Sequence, residues 1–350
     1  MTESNPAQSS HTTRRRLTGW LLGVFAVGLL VVVVMSFFAP WWWVGRVAEY
    51  TRFHTMLALA LLVLLAVVTR HRTWAGVCLA GVAVNLAALI MLAPATAPVA
   101  DQGDFRVMHL NVDRNNTQIE RVLDAIQNPA DGRAPDIVCL QEFTPGLDIA
   151  VELILRGYEV VAAIPRDDSR GVAMLRRQDS DLELIEWQEL QWLPGENDRP
   201  TLAADFGVAG QPEKRLNVLS LHTKRPASPA KSEMQQREFA AAAQWSADLL
   251  APSGENQYLL VLGDFNATPW SVDTRQFVQR SGLLHVGGTF NANPTYPSRL
   301  PWPLRVPIDL AAVSPNLAVS ESTVGPHVGS DHRPLMVDVS FLSQGNRQSN

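Results

Sequence analysis

The run Tyr258-Leu-Leu-Val-Leu-Gly-Asp-Phe-Asn266 is apolar until it reaches glycine and then presents Asp264 and Asn266, two residues apart. A continuous apolar run of this kind fits a strand buried on both faces, and the two-residue period of a strand puts both polar side chains on one side. A carboxylate beside a carboxamide can orient a water, hydrogen-bond a phosphoryl oxygen or hold a hard metal ion. A plain Gly-Asp turn at a strand end has the same local sequence, so this pair alone leaves both readings open.

The same event recurs along the chain. Arg106-Val-Met-His-Leu-Asn111 ends in an asparagine, Asp136-Ile-Val-Cys-Leu-Gln-Glu142 in a carboxylate, and Leu216-Asn-Val-Leu-Ser-Leu-His222 in a histidine. Pro307-Ile-Asp309 sets a carboxylate in an apolar strand, and Ser330-Asp331-His332-Arg-Pro precedes the last apolar run. Each has a reading as a cap or a turn. Strand ends that all carry Asn, Glu, His or Asp are what a metal-assisted hydrolase needs at the mouth of a sandwich.

The elements that must position these residues follow from periodicity. Strands are expected at Phe105 to Val112, Asp136 to Gln141, Tyr158 to Ala163, Gly171 to Arg176, Leu182 to Trp187, Thr201 to Phe206, Arg215 to Leu221, Ile308 to Val313, Leu317 to Ser320 and Leu335 to Ser340, besides the run that leads to Asp264. Helices are expected at Thr117 to Gln127, Pro145 to Arg156, Lys231 to Leu250 and Ser271 to Arg280. Many strands with few helices suit an α+β fold, a four-layer α/β/β/α sandwich of two mixed sheets. A doubly wound parallel sheet needs a helix after nearly every strand, and the middle of the chain lacks them.

Ahead of this region lie three apolar runs, Leu17 to Phe38, Phe53 to Thr69 and Thr73 to Ala93, against the roughly 20 residues that cross a bilayer. They read as three transmembrane helices in region 17–93, after a cytoplasmic tail at 1–16. Arg14, Arg15 and Arg16 before the first run and Arg70 and Arg72 between the second and third put the N-terminus in the cytoplasm. Three spans then carry everything beyond Ala93 outside it. Trp41, Trp42 and Trp43 fit an interfacial aromatic belt or helix packing. A Pro/Ala linker follows at 94–103, then a catalytic domain at 104–342 and a disordered tail at 343–350.

Cys78 falls inside an apolar run and Cys139 inside a buried strand, so neither has a disulfide partner. A net charge of -5 argues against a large basic surface for nucleic acid, so a polyanionic substrate must be met locally.

Taken in order, Leu-Asn111-Val, Leu-Gln-Glu142, Leu-His222-Thr, Gly-Asp264-Phe-Asn266, Ile-Asp309 and Ser-Asp331-His332-Arg-Pro resemble the endonuclease/exonuclease/phosphatase superfamily over residues 105–341. The resemblance implies Glu142 as main Mg2+ ligand, with Asn111 and Asp331 near the same ion and Mn2+ as the alternative metal. It implies that Asp264 and Asn266 handle the attacking water and a phosphoryl oxygen, that Asp309 orients His332, and that His222 donates to a phosphate oxygen or to the leaving group. One departure concerns the acidic partner of His222, which is sought in Asp167-Asp-Ser-Arg170; Arg170 could instead touch substrate.

The expected function is a membrane-anchored Mg2+-dependent phosphoesterase acting outside the cytoplasm. Three spans around such a domain are similar to the bacterial membrane proteins of this superfamily associated with glycopeptide resistance, for which a lipid pyrophosphate is a candidate substrate. The alternatives are an exported nuclease acting on DNA or RNA and a non-catalytic binding protein on the same fold. The lipid bilayer is the expected partner, and no protein partner is indicated. Of the remaining residues, His109 and His285 read as core histidines, His327 as the best additional site residue, and Lys224, Arg225, Arg299 and Arg305 as flanking charges. The stiff aromatic loop Thr295 to Trp302 suits substrate selection.

Overall fold

The computed structural model describes residues 6–193, 195, 199–251, 257–288 and 293–342. The tail read at 343–350 lies outside the described residues. The chain divides into two compact units, 1–93 with Trp270–Val272, and 94–269 with 273–350.

Among the described residues, the first unit holds four helices: α1 (Pro6–Ser36), α2 (Trp43–Tyr50), α3 (Arg52–Val68) and α4 (Arg72–Met91). Arg15–Ser36 and Arg72–Met91 are each long and apolar enough to cross a membrane. Helix α3 is shorter and joins α2 through a 61° bend, so the count of candidate spans is two, or three if that bent pair is one span. Ala26, Val33, Leu59 and Cys78 pack together where the helices meet. A Cβ at Gly81 would lie 2.8 Å from Leu30 and 2.9 Å from Leu59, so glycine lets these helices approach.

Among the described residues, the second unit holds twelve strands in two six-stranded sheets. The first sheet has β1 (Phe105–Asn111), β2 (Ile137–Gln141), β3 (Tyr158–Ile164), β4 (Val172–Arg177), β11 (Leu317–Val324) and β12 (Leu335–Phe341), ordered β11-β12-β1-β2-β4-β3. The second has β5 (Leu182–Leu190), β6 (Thr201–Val208), β7 (Gln211–Ser220), β8 (Gln257–Asp264), β9 (Leu284–His285) and β10 (Asp309–Val313), ordered β5-β6-β7-β8-β10-β9. Each sheet has one parallel pair, β1 with β2 and β7 with β8, and its other pairings are antiparallel. Each parallel pair is joined across a stretch that contains a helix, α5 (Ile119–Gln127) in the first sheet and α7 (Pro229–Leu250) in the second.

Strand alternation sorts the core. Val107, Ile137, Cys139, Met174, Leu216, Val218, Leu260, Leu262 and Val337 meet between the sheets. Met108, Leu110, Val138, Leu140 and Leu175 point the other way, against Val122, Leu123 and Ile126 of α5 and Leu147 and Val151 of α6 (Pro145–Ile154). Outside the second sheet, Phe239 of α7, Phe277 of α8 (Val272–Ser281) and Phe265 contact one another with ring centroids 5.6 to 5.9 Å apart. Both faces of the central strands are therefore buried, which is why they read as unbroken apolar runs. Helix, sheet, sheet and helix make the four layers read from the sequence.

The stretch read as a linker is tied down at two points, where Thr96 bridges His285 and Val99 bridges Val319. Trp302–Leu304 forms a 3-10 turn.

Candidate active site

The topology brings the polar strand ends to one edge of the sandwich. Strands β1 and β2 run parallel and end at Asn111 and just before Glu142; β12 runs antiparallel to β1, so Asp331 and His332 ahead of it fall at the same edge. The second sheet repeats the device. Parallel β7 and β8 end near His222 and Asp264, and antiparallel β10 starts at Asp309, paired directly with Asp264.

Asp264 Oδ2 is the meeting point. Asn111 Nδ2 donates to it at 3.2 Å, His222 Nε2 lies at 3.7 Å and His332 Nε2 at 3.8 Å. Asp264 Oδ1 accepts the Asn266 N–H at 2.9 Å. The same Asn111 nitrogen reaches Glu142 Oε1 at 3.4 Å, while the Arg114 N–H donates to Glu142 Oε2 at 3.2 Å. Asn111 Oδ1 holds the Asp113 N–H at 3.1 Å. Asn111 thus turns its amide nitrogen toward both carboxylates. Asn266 Nδ2 donates to Thr223 O at 3.0 Å, which fixes this side chain against the strand that carries His222.

A second group stands behind the first. Asp309 accepts from His332 Nδ1 at 2.8 Å and from His109 Nε2 at 2.9 Å, and its Oδ2 also takes the Thr295 hydroxyl. The Tyr296 ring lies 4.9 Å from the His332 ring. His332 is further fixed by its backbone N–H, which donates to Ser330 Oγ at 2.9 Å, and Ser330 in turn donates to Asn111 O at 2.6 Å.

Backbone shape matches the task. Asp113, Glu142 and Asn266 adopt φ of 55°, 56° and 46°, left-handed conformations that cost non-glycine residues energy and cluster at functional sites. Gly263 has φ 154°, and a Cβ there would sit 1.9 Å from Leu221 O. Only glycine lets β8 come this close to the end of β7 just before Asp264.

Electrostatics divide the two histidines. Burial works against a charged His332 ring, but the Asp309 and Asp264 carboxylates outweigh it and hold His332 well above the usual histidine range. Burial pushes His222 well below that range, and the Arg199 guanidinium pushes it further. Burial raises Asp264, and Asp309 adds to the rise. Burial also raises Glu142, opposed by the Arg114 N–H. Burial would raise Asp309 too, but His332 and His109 bring it below the usual carboxylate range.

All eight residues singled out by sequence therefore lie at this edge. Asp331 is the most open, 52% exposed, with Oδ1 at 4.0 Å from His332 Nε2. In the 167–170 segment, where the acid for His222 is sought, Asp168 is bound to Arg170; the carboxylate paired with His222 Nε2 is that of Asp264, at 3.7 Å. Lys224 donates its backbone N–H to Glu238 Oε2, and His327 contacts Ser298 at 3.0 Å, outside the ring around Asp264.

Sequence reading missed three residues. His109, read as a core histidine, is the second imidazole on Asp309; its place at the same parity as Asn111 in β1 was the available signal. Gln141, fully buried, donates to Leu221 O at 3.0 Å and accepts the Asp264 N–H at 3.2 Å, joining the two sheets under the site. Arg199 is 7% exposed, and its Nε and Nη1 find no partner among the described residues. Burial lowers this guanidinium, while Glu238, Asp264 and Glu142 favour its charge. Nothing in its local sequence marks it.

Divalent-metal chemistry can be tested against these donors. Asp264, Asp309 and His332 bring one ligand atom each within 4.8 Å, but the Asp309 oxygens are already committed to His109, His332 and Thr295. Glu142 and Asp264 differ: both are carboxylates raised by burial, and both lean on one Asn111 amide. Such under-neutralised oxygen donors fit a hard dication.

Comparison with known proteins agrees with this arrangement. No curated protein matches the chain by sequence. Among solved structures, an endonuclease/exonuclease/phosphatase from Bacteroides vulgatus is 19% identical with a TM-score of 0.53, covering 68% of this chain and 98% of its own. The Bacteroides thetaiotaomicron mannosyl-6-phosphatase Bt3783 is 17% identical with a TM-score of 0.52, covering 68% and 100%. D. rerio TDP2, complexed with a single-strand DNA product, is 17% identical with a TM-score of 0.52, covering 68% and 99%. At such identities the likeness is one of fold. Residues 108–332, which include every residue of the ring but flank none of the apolar helices, match the sequence profile of one family, and the chain belongs to the Endonuclease/Exonuclease/phosphatase family.

Proposed function

We propose that this protein is a membrane-anchored phosphoesterase, dependent on Mg2+ or Mn2+, whose water attacks phosphorus beside Asp264. The observation that carries the reading is the convergence on Asp264 Oδ2 of Asn111, His222 and His332 within 3.2 to 3.8 Å. A carboxylate raised by burial is suited to take a proton from water, and Asn266 holds it in place through its backbone N–H. In-line attack accumulates charge on the equatorial phosphoryl oxygens. His332, kept cationic by Asp309, stabilises that charge, and neutral His222 donates a hydrogen bond to it. Arg199, whose buried Nε and Nη1 have no partner among the described residues, supplies the group that a phosphate would pair with.

Glu142 would hold the metal, with Asp331 and Asn111 beside it. A bound dication would supply Lewis-acid stabilisation of the phosphoryl oxygens. Proton handling remains with Asp264, His222 and His332.

The substrate favoured is a lipid-borne phosphate ester or pyrophosphate, because apolar helices on the same chain raise the effective concentration of a membrane substrate. A nuclease is the second reading, favoured by the DNA-bound TDP2 structure among the similar folds. Parallel incubation of the full chain with polyprenyl pyrophosphate, DNA and RNA separates them; release of inorganic phosphate from the lipid alone supports the first, and cleavage of nucleic acid alone contradicts it. Location is tested by a reporter fused at the C-terminus, expected to be active only outside the cytoplasm.

A further inference from the structure

Residues 299–304 are six consecutive exposed positions beside the catalytic edge. Three of them are large apolar side chains, Leu300, Trp302 and Leu304, exposed by 39%, 49% and 53%. Exposed apolar tips of this size on a water-soluble fold call for a partner.

The segment is held as two successive turns. Pro297, Pro301 and Pro303 restrict its backbone. The Leu300 N–H donates to Pro297 O at 3.1 Å, the Leu304 N–H to Pro301 O at 2.9 Å, and Arg305 Nε reaches back to Leu300 O at 2.6 Å. These bonds fix the backbone that carries the three exposed apolar side chains.

Its base is fastened to the catalytic ring. Thr295 donates to Asp309, the Tyr296 ring contacts His332, and the Ser298 N–H donates to Asp331 O at 2.7 Å. Arginines collar the same base: Arg333 Nε donates to Ser298 O at 3.1 Å, and the charges of Arg333, Arg299, Arg121 and Arg305 all act on His327, which bonds Ser298. In a chain of net charge -5 this is a local positive field.

We propose that the 299–305 loop is an interfacial anchor that seats the mouth of the catalytic site on an anionic lipid surface. Trp with Leu at the tip and arginine at the base is the composition that lies in a headgroup layer. Three side chains are too few for a stable protein interface, which takes roughly 20 residues a side, whereas a shallow lipid wedge needs no more. Two or three apolar helices of the same chain place a bilayer within covalent reach. For what the docked site does there, the inference rests on the phosphoesterase reading, and it narrows the substrate to a phosphate held at the headgroup plane.

The test uses the full chain in lipid nanodiscs, of phosphatidylcholine alone or mixed with phosphatidylglycerol, with Trp302→Cys carrying an NBD fluorophore. Cys78 and Cys139 are buried, so unmodified chain gives the labelling background. Asp179→Cys, 75% exposed at the opposite end of the sandwich, is the control. The label at 302 is expected to shift blue, to be quenched by headgroup nitroxide lipids and to be shielded from iodide several-fold more in anionic discs, with Arg299→Gln weakening the anionic preference about fivefold. The control label stays open to iodide. Equal iodide access at 302 in both discs overturns the proposal, and so does shielding that persists in detergent and grows with protein concentration, which identifies a second copy as occupant. Polyprenyl pyrophosphate and a soluble chromogenic phosphodiester are assayed on the same discs. Hydrolysis of either with an open loop overturns the docking alone, whereas an inserted loop with hydrolysis of neither supports the docking and overturns the phosphoesterase reading.

Discussion

Gln141 in the first sheet accepts the backbone N–H of Asp264 in the second at 3.2 Å. Its amide nitrogen completes the tie at Leu221 O, 3.0 Å away and next to His222. One buried carboxamide thus sets the spacing between the sheet that carries Glu142 and the sheet that carries Asp264. Replacing Gln141 by Leu keeps the volume but orphans a buried N–H and a buried C=O, at about 1–3 kcal/mol each. Thermal melts should fall accordingly, and kcat should drop on the order of 100-fold from misplacement of the two halves. A Gln141→Leu variant with unchanged kcat would show that the tie is structural only.

Asp309 and His332 should behave as one unit. Asp309 binds His332 Nδ1 at 2.8 Å and keeps the ring charged, so removing either member removes the same function. Each single alanine variant is expected to lose about 10²- to 10⁴-fold in kcat/KM, and the double variant little more. Fully additive losses in the double-mutant cycle would mean that the residues act separately.

Arg199 offers an opposite pairing of stability and activity. Its buried Nε and Nη1 lack partners among the described residues, so Arg199→Met removes a desolvated charge, and the melting temperature is expected to hold or rise. Activity should move the other way, with KM for a phosphate ester up about tenfold or more and competitive inhibition by inorganic phosphate weakened. A variant that melts lower and still binds phosphate normally would place Arg199 among the structural residues.

His285 supplies a stability prediction away from the chemistry. It is 3% exposed, and burial lowers it to about 4 from 6.5. Between those values the unfolded chain binds the proton and the folded chain does not, so stability rises with pH across this window. The contribution is complete above pH 6.5 and lost as pH falls toward 4, about 3 kcal/mol in all. Melting temperatures of the full chain in detergent should drop less between pH 7 and pH 4.5 for His285→Gln than for the unaltered chain. Parallel curves would remove His285 from the account of acid sensitivity.

The strands were legible because the central ones are buried on both faces, and an apolar run such as Leu259 to Leu262 admits few other structures. Candidate site residues were legible where they ended such runs, as Asn111, Glu142, His222 and Asp264 do. Gln141 was not, because it sits inside a strand and gains its meaning from the facing sheet, a contact that no local pattern encodes; for His109 the parity with Asn111 marks the face it points to, but not its bond to Asp309. Arg199 was hidden by its place between strands, where arginine is ordinary until burial makes it costly. The two-residue strand Leu284–His285 is too short to carry any period. The helix α2 interrupts what composition shows as a plain connection between apolar runs, because Trp43 to Tyr50 mixes apolar residues with Arg46 and Glu49.

Whether Glu142, Asp264 and His332 form a metal-dependent phosphoesterase centre is tested by hydrolysis of a soluble chromogenic phosphodiester by the full chain, before and after chelation and with Mg2+ restored, alongside Glu142→Gln. Turnover is expected to be abolished by a chelator and restored by Mg2+, with the variant reduced by about 10³-fold or more at any Mg2+ concentration. Turnover indifferent to the chelator, or undiminished in Glu142→Gln, would contradict such a centre.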